Sequence, residues 1–145
     1  MIAVFNKLDE LFEAALKPLV PVLLLICRLW VAWVFFNAGQ TKIASWDSTL
    51  FLFEYEYQVP VLPWELAAYL GTATELIVPV FLALGFLTRP AAFVLFFFNI
   101  IAVVSYPALW EKGFFDHQMW GVMLLVTVIM GPGLLAVDNW LKNRG

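Results

Sequence analysis

The chain has 145 residues, 63% of them hydrophobic and 13% charged, with a mean hydropathy of +0.89. A soluble domain is about one quarter charged, so the composition excludes one and points to a single integral membrane domain over residues 1–145. A net charge of −3 without a Lys/Arg cluster excludes nucleic acid as a partner, and one cysteine (Cys27) with one histidine (His117) excludes an internal dithiol or a bis-histidine haem.

Residues 1–17 carry Asp9, Glu10 and Glu13 where a cleavable signal would be basic, so no signal peptide is expected. Val4, Leu8, Leu11 and Ala15, with Phe5 and Phe12 beside them, recur at helical spacing. They predict an amphipathic helix in the membrane interface, serving to dock or anchor the chain. Four apolar spans follow, over about residues 19–40, 64–86, 90–106 and 117–137. Pro18 and Pro21 suit the opening turn of the first. Thr88, Arg89 and Pro90 are expected to form a tight turn between the second and third. The fourth is expected to continue through Gly131-Pro132-Gly133 with a kink, since Pro132 leaves the Val128 carbonyl without its helical donor. Residues 43–63 are too aromatic for a disordered linker. A short helix over residues 49–57, capped by Asp47 or Ser48, is favoured there over a lone strand. The fold expected is therefore all-α: a four-helix membrane bundle with an amino-terminal amphipathic helix and a structured outer loop.

Lys7, Lys17, Arg89, Lys142 and Arg144 flank one side of these spans, against Lys42 and Lys112 on the other. The positive-inside rule then places both termini in the cytoplasm of a multi-pass inner-membrane protein. Arg28 and Glu75 lie within spans, where an ionised group costs about 2.5–3.5 kcal/mol on insertion scales. Counted from the inner ends of their spans, Arg28, Glu75 and Asn99 share a level roughly 14–17 Å from the cytoplasmic boundary. Ala67, Gly71, Glu75 and Pro79 form one stripe that admits a neighbouring helix, and Thr72 adds a hydroxyl. An Arg28–Glu75 pair completed by Asn99 and Thr72 either locks two helices, receives the polar head of a lipophilic ligand such as a quinone, or exchanges protons through Glu75. A second, outer polar cluster comprises Asn37, Gln40, Lys42, Asp116 and His117, with no metal site implied by one histidine and scattered acids. Arg89 and Asp138 are placed to form a surface ion pair at the inner end.

Several short motifs occur in order: Arg28-Leu29, Ala38-Gly39 then Lys42, Glu75, Leu84-Gly85 with Thr88-Arg89-Pro90-Ala91-Ala92, and Gly131-Pro132-Gly133 with Asp138. Together they resemble the DoxX family of four-helix bacterial membrane proteins. Trp46-Asp47-Ser48-Thr49-Leu50-Phe51, Val59-Pro60-Val61-Leu62-Pro63 and Ser105-Tyr106-Pro107-Ala108-Leu109-Trp110 resemble one branch of it, encoded beside multinuclear iron oxidases in operons for copper-binding modified peptides. Residues 134–137 depart from the family, which often has a basic residue and a serine there. The resemblance implies a role in copper stress or peptide maturation, and the wider family is linked to quinone-coupled oxidation. It supports a subunit that is non-catalytic alone, has no covalent cofactor and acts with a protein partner or as a homo-oligomer in the bilayer. The alternatives are an assembly protein whose outer loop docks a partner, and a transporter for copper or a copper-bearing peptide.

Overall fold

The computed structural model describes residues 2–144, all of whose regular elements are helical. Helix α1 (Ile2–Leu16) runs through a 3₁₀ turn (Lys17–Leu19) into α2 (Val20–Ala44). Helices α3 (Trp46–Tyr55), α4 (Trp64–Leu84), α5 (Thr88–Ser105), α6 (Leu109–Lys112), α7 (Phe114–Met130) and α8 (Val137–Lys142) follow. The bundle is built from α2, α4, α5 and α7: α2 packs on α4 and α7, and α5 packs on α7 and α4. Helix α3 lies across α4 and α2 at one end of it.

The distribution of side chains is that of a lipid-solvated protein. Ala67, Ala68, Ala91, Ala92, Gly71, Thr72, Thr88 and Thr127 are inside, while Leu23, Ile26, Trp33, Ile77, Phe93 and Ile129 face outward. Small and hydroxylated residues let helices approach where lipid leaves no hydrophobic drive between them. Three helical stretches are long and apolar enough to cross a membrane: Val4–Ala44, α4 and α5. Helix α7 is apolar but shorter, at 17 residues. The expected amino-terminal helix is present as α1, with Val4, Phe5, Leu8, Leu11, Phe12 and Leu16 all exposed.

Two helices end differently from expectation. The α4–α5 turn is made by Gly85 (φ +68) and Leu87 (φ +49), and Thr88 already begins α5. The Gly85 and Phe86 amides donate to the Leu82 and Phe81 carbonyls, and the Phe81 and Phe86 rings stack at 5.8 Å. That is a Schellman cap with its hydrophobic contact. Helix α7 is not kinked at Pro132 but stops at Met130, because Gly131 turns to φ +85. The carbonyl that Pro132 cannot serve is satisfied from another helix: Arg89 Nε donates to Val128 O at 3.1 Å. Arg89 is thereby engaged with α7, and the expected Arg89–Asp138 ion pair is replaced. Asp138 instead accepts from the Leu87 amide (2.8 Å), the Thr88 amide (2.8 Å) and the Thr88 hydroxyl (2.7 Å), acting as a helix cap for α5 from a distant part of the chain. The 43–63 segment does hold a helix, α3, but Asp47 and Ser48 lie within it and make no cap bond to its backbone. Ser45 is the N-cap, and its hydroxyl donates to Ser48 Oγ at 2.8 Å.

Candidate functional site

The predicted Arg28–Glu75 pair does not form. A Cβ placed at Gly39 would stand 3.0 Å from Glu75 Cβ, whereas one at Gly85 would meet the Arg28 guanidinium. Glu75 is thus level with Gly39 and Arg28 with Gly85. Eleven residues of α2 separate the two levels, about 16 Å at 1.5 Å per residue. The error lies in the assumption of flush inner ends, because the first turns of α2 extend past α4 alongside the chain that follows α7.

Arg28 is 1% exposed and spends its fork on backbone. Nη1 donates to Pro132 O at 2.8 Å and Nη2 to Leu135 O at 2.6 Å. The non-helical segment after Gly131 has unpaired carbonyls, and a guanidinium presents donors in the planar geometry that gathers two of them. Gly85 makes room for this, since any side chain there would strike Arg28 and Ala136. The Asp138 amide closes the same end by donating to Gly85 O at 2.8 Å. Asp138 lies beyond the spans. Burial pushes its carboxyl up, but the Thr88 amide, the Thr88 hydroxyl and the Leu87 amide together hold it below the usual range.

At the opposite end Glu75 pairs with Lys42, whose Nζ donates to Oε1 at 2.8 Å and Oε2 at 2.6 Å. The Glu75 side chain is 7% exposed and that of Lys42 20%. Lys42 belongs to the predicted outer cluster, so the two expected sites exchange a member. The pair lies below α3, which is fastened over it. Thr49 Oγ1 donates to Lys42 O at 3.0 Å, and Phe53 packs where a Gly71 Cβ would come within 3.4 Å of its ring. The small residue in the Gly71 stripe therefore admits an aromatic ring of α3. Thr72 Oγ1 is buried without a hydrogen-bond partner.

Asn99 joins neither charged group. Its Nδ2 donates to His117 O at 2.8 Å, and its Oδ1 lies 2.7 Å from His117 Nδ1. His117 also meets Trp120 edge-on at 4.7 Å. This contact joins one residue from each predicted site. It was available from spacing, since 99 and 117 stand nine residues either side of Ala108 in the short α5–α7 connection, and antiparallel neighbours pair about the turn. Of the other outer residues, Gln40 and Asp116 are exposed, and the Asn37 carbonyl accepts from Thr41 Oγ1 within α2. Among the described residues no three His, Cys, Asp or Glu side chains gather as a metal site.

Beside Asn99 and His117 runs a groove between α5 and α7 of about 890 Å³, open along its length. Phe96, Ile100, Val104, Val122 and Leu125 give it apolar walls, and Gln118 lies on its edge. Gly121 keeps it close to Asn99, where a Cβ would lie 3.4 Å from Nδ2.

An α-helical membrane bundle with buried polar locks at both ends is the class that fold and geometry define. The DoxX family model matches residues 23–108, and the chain belongs to that family. It is 27% identical over 129 residues to "Inner membrane protein YphA" of Escherichia coli, covering 82% of this chain and 90% of that one. It is also 29% identical over 131 residues to an "Uncharacterized protein" of Haemophilus influenzae, covering 84% and 85% respectively. No solved structure matches the chain.

Proposed function

We propose that this chain is an inner-membrane subunit of a redox or peptide-maturation system, non-catalytic alone, which holds a quinone-type ligand in the α5–α7 groove. The observation that carries the reading is the groove itself, an apolar channel of about 890 Å³ in contact with His117 and Asn99. Small-molecule sites occupy about 300–1,000 Å³, mostly apolar with a few placed polar groups. Arg28 and Glu75, the charges that first suggested a ligand site, are each engaged by protein partners. The reading therefore moves the ligand to the neutral pair. In this reading all four bundle helices span, both termini are cytoplasmic, and His117 lies near the outer face.

The test is retention of ligand. Protein extracted gently from its native membrane should yield about one quinone-type molecule per chain, oxidised and reduced forms counted together, and Val122→Trp, which fills the groove from an exposed position, should lose it. Equal yields from both proteins, or none from either, would refute the proposal.

A second reading has its own support. The segments that resemble the copper-peptide branch meet at the α3 end: Trp46, Leu50 and Val59 pack around Phe53, Ala67 and Ala68, and residues 57 and 58 between the first two segments reach the third, Gln58 N donating to Ser105 O at 2.7 Å and the Tyr57 and Tyr106 rings meeting at 4.8 Å. In this reading that surface receives a protein partner. Altering exposed Phe51 and Tyr55 should then abolish capture of the operon's peptide or oxidase while the groove keeps its ligand. Undiminished capture would remove this reading.

A further inference from the structure

The Asn99–His117 contact decides more than packing. A backbone carbonyl only accepts, so the Asn99 group 2.8 Å from His117 O is the amide nitrogen. Its oxygen then faces His117 Nδ1 at 2.7 Å and can only accept. Nδ1 must therefore carry the hydrogen, and in the neutral ring Nε2 is left as a bare acceptor. Nε2 has no hydrogen-bond partner among the described residues, and His117 lines the groove. Most other polar groups there are engaged: Asn99 gives one Nδ2 hydrogen to His117 O and its Oδ1 to His117 Nδ1, and Trp110 Nε1 donates to Val103 O at 2.9 Å. The second Nδ2 hydrogen of the buried Asn99 and the exposed Gln118 amide are the donors that remain.

From this geometry we propose that the groove selects a ligand whose head donates a hydrogen bond, the hydroxyl of a hydroquinone or related phenol, over the carbonyl-headed oxidised form. The inference rests on the groove reading above and adds the chemistry of the head group. A quinone oxygen has lone pairs alone and would face the lone pair of Nε2. The phosphate of a lipid meets the same obstacle, since no cationic side chain lines the groove. A hydroxyl turns that repulsion into a hydrogen bond, while the apolar tail lies along Ile100, Val104, Val122 and Leu125. Asn99 acts through His117 and is a positioning residue.

Because the chain has one histidine, protein labelled with ¹⁵N-histidine gives a single imidazole spectrum. At pH 8, above the ordinary histidine pKa of about 6.5, it should show a protonated Nδ1 and a bare Nε2. Binding of decylubiquinone and of the hydroquinone made from it is measured anaerobically in detergent, with the Val122→Trp protein subtracting uptake by micelles. The hydroquinone should bind at least about tenfold more tightly, the size of one net hydrogen bond, and should shift the Nε2 resonance. Asn99→Leu should lose that discrimination and release the tautomer. Should this variant not fold, the wild-type tautomer and the two affinities decide alone. A protonated Nε2 in the wild-type protein, or quinone bound as tightly as hydroquinone, overturns the inference and leaves the groove reading intact. Binding of neither above the Val122→Trp level overturns both.

Discussion

Breaking the Lys42–Glu75 pair from its two sides should have unequal effects. Both carboxylate oxygens rest on one ammonium, at 2.8 and 2.6 Å, with Glu75 7% exposed and Lys42 20%. Removing one member of a buried pair costs about 3–5 kcal/mol, because the survivor keeps its desolvation without its partner. Lys42 stands near the end of α2 on a four-carbon stem and can carry its charge toward the boundary when Glu75 is lost. Glu75 has a short stem held against Gly39 and cannot do the same. Glu75→Gln is therefore expected at about 2 kcal/mol and Lys42→Met at about 3–4 kcal/mol.

The double variant pairs a methionine with an amide and leaves no unpaired charge. It should cost about 1 kcal/mol, well below the sum of the single changes. Equilibrium unfolding in mixed detergent, followed by helical circular dichroism, gives the four corners of the cycle. Additivity within about 0.5 kcal/mol would show that the two side chains do not interact, and Glu75→Gln costing more than Lys42→Met would refute the argument from reach.

Three further changes test the opposite end. Asp138→Asn should lose about 1–2 kcal/mol at neutral pH, as expected for a lost helix cap. Since the carboxyl is held below its unfolded value, its contribution is complete above about pH 4 and is lost as pH falls through the folded value. Acid titration of stability should thus be shallower in the variant, and parallel curves would argue against the cap. Gly85→Ala places a methyl against Arg28 and 2.6 Å from Ala136 Cβ at a φ of +68. It should lose more than about 1 kcal/mol from backbone strain and displacement together, and an unchanged midpoint would contradict the close approach. Arg28→Lys cannot reach two carbonyls in one plane, so residues 131–136 should become cleavable by a protease that spares the wild-type protein. Equal resistance would mean the fork is not what holds that segment.

The all-helical fold was legible because composition and span length agree. Where two of the helices stop was not, since Gly85 and Gly131 were read as parts of longer spans although their positive φ ends α4 and α7. Pairing across helices was legible only where a short connection sets the register. The α5–α7 hairpin has such a connection, and Asn99 meets His117 across it. Helices α2 and α4 do not, since α3 and a loop intervene, and nothing local says how far α2 runs past its neighbour. Flush ends put Arg28 beside Glu75, while the actual offset puts Lys42 there. The partners of Arg28 and Asp138 were illegible for another reason: apart from the Thr88 hydroxyl they are backbone atoms of Pro132, Leu135, Leu87 and Thr88, and a backbone partner leaves no mark in residue type.

A charge inside a bilayer is a strong pointer to function, but its expense also demands satisfaction. Arg28 gathers two carbonyls left by the end of α7, and Glu75 takes both oxygens to Lys42. A ligand that displaced either bond would have to match a charge-assisted hydrogen bond already made in low dielectric. A neutral imidazole can be left with one open nitrogen at far smaller cost, and it sits on a groove open to the sides of α5 and α7. The charges then hold the two ends of the bundle in register, while His117 Nε2 between α5 and α7 has no hydrogen-bond partner among the described residues. Filling the groove at Val122 should therefore remove ligand without lowering stability, whereas Glu75→Gln should lower stability and leave the affinity of the groove within about twofold, as expected of separate sites. Loss of ligand affinity in Glu75→Gln beyond its loss of folded protein would return the site to the charged pair.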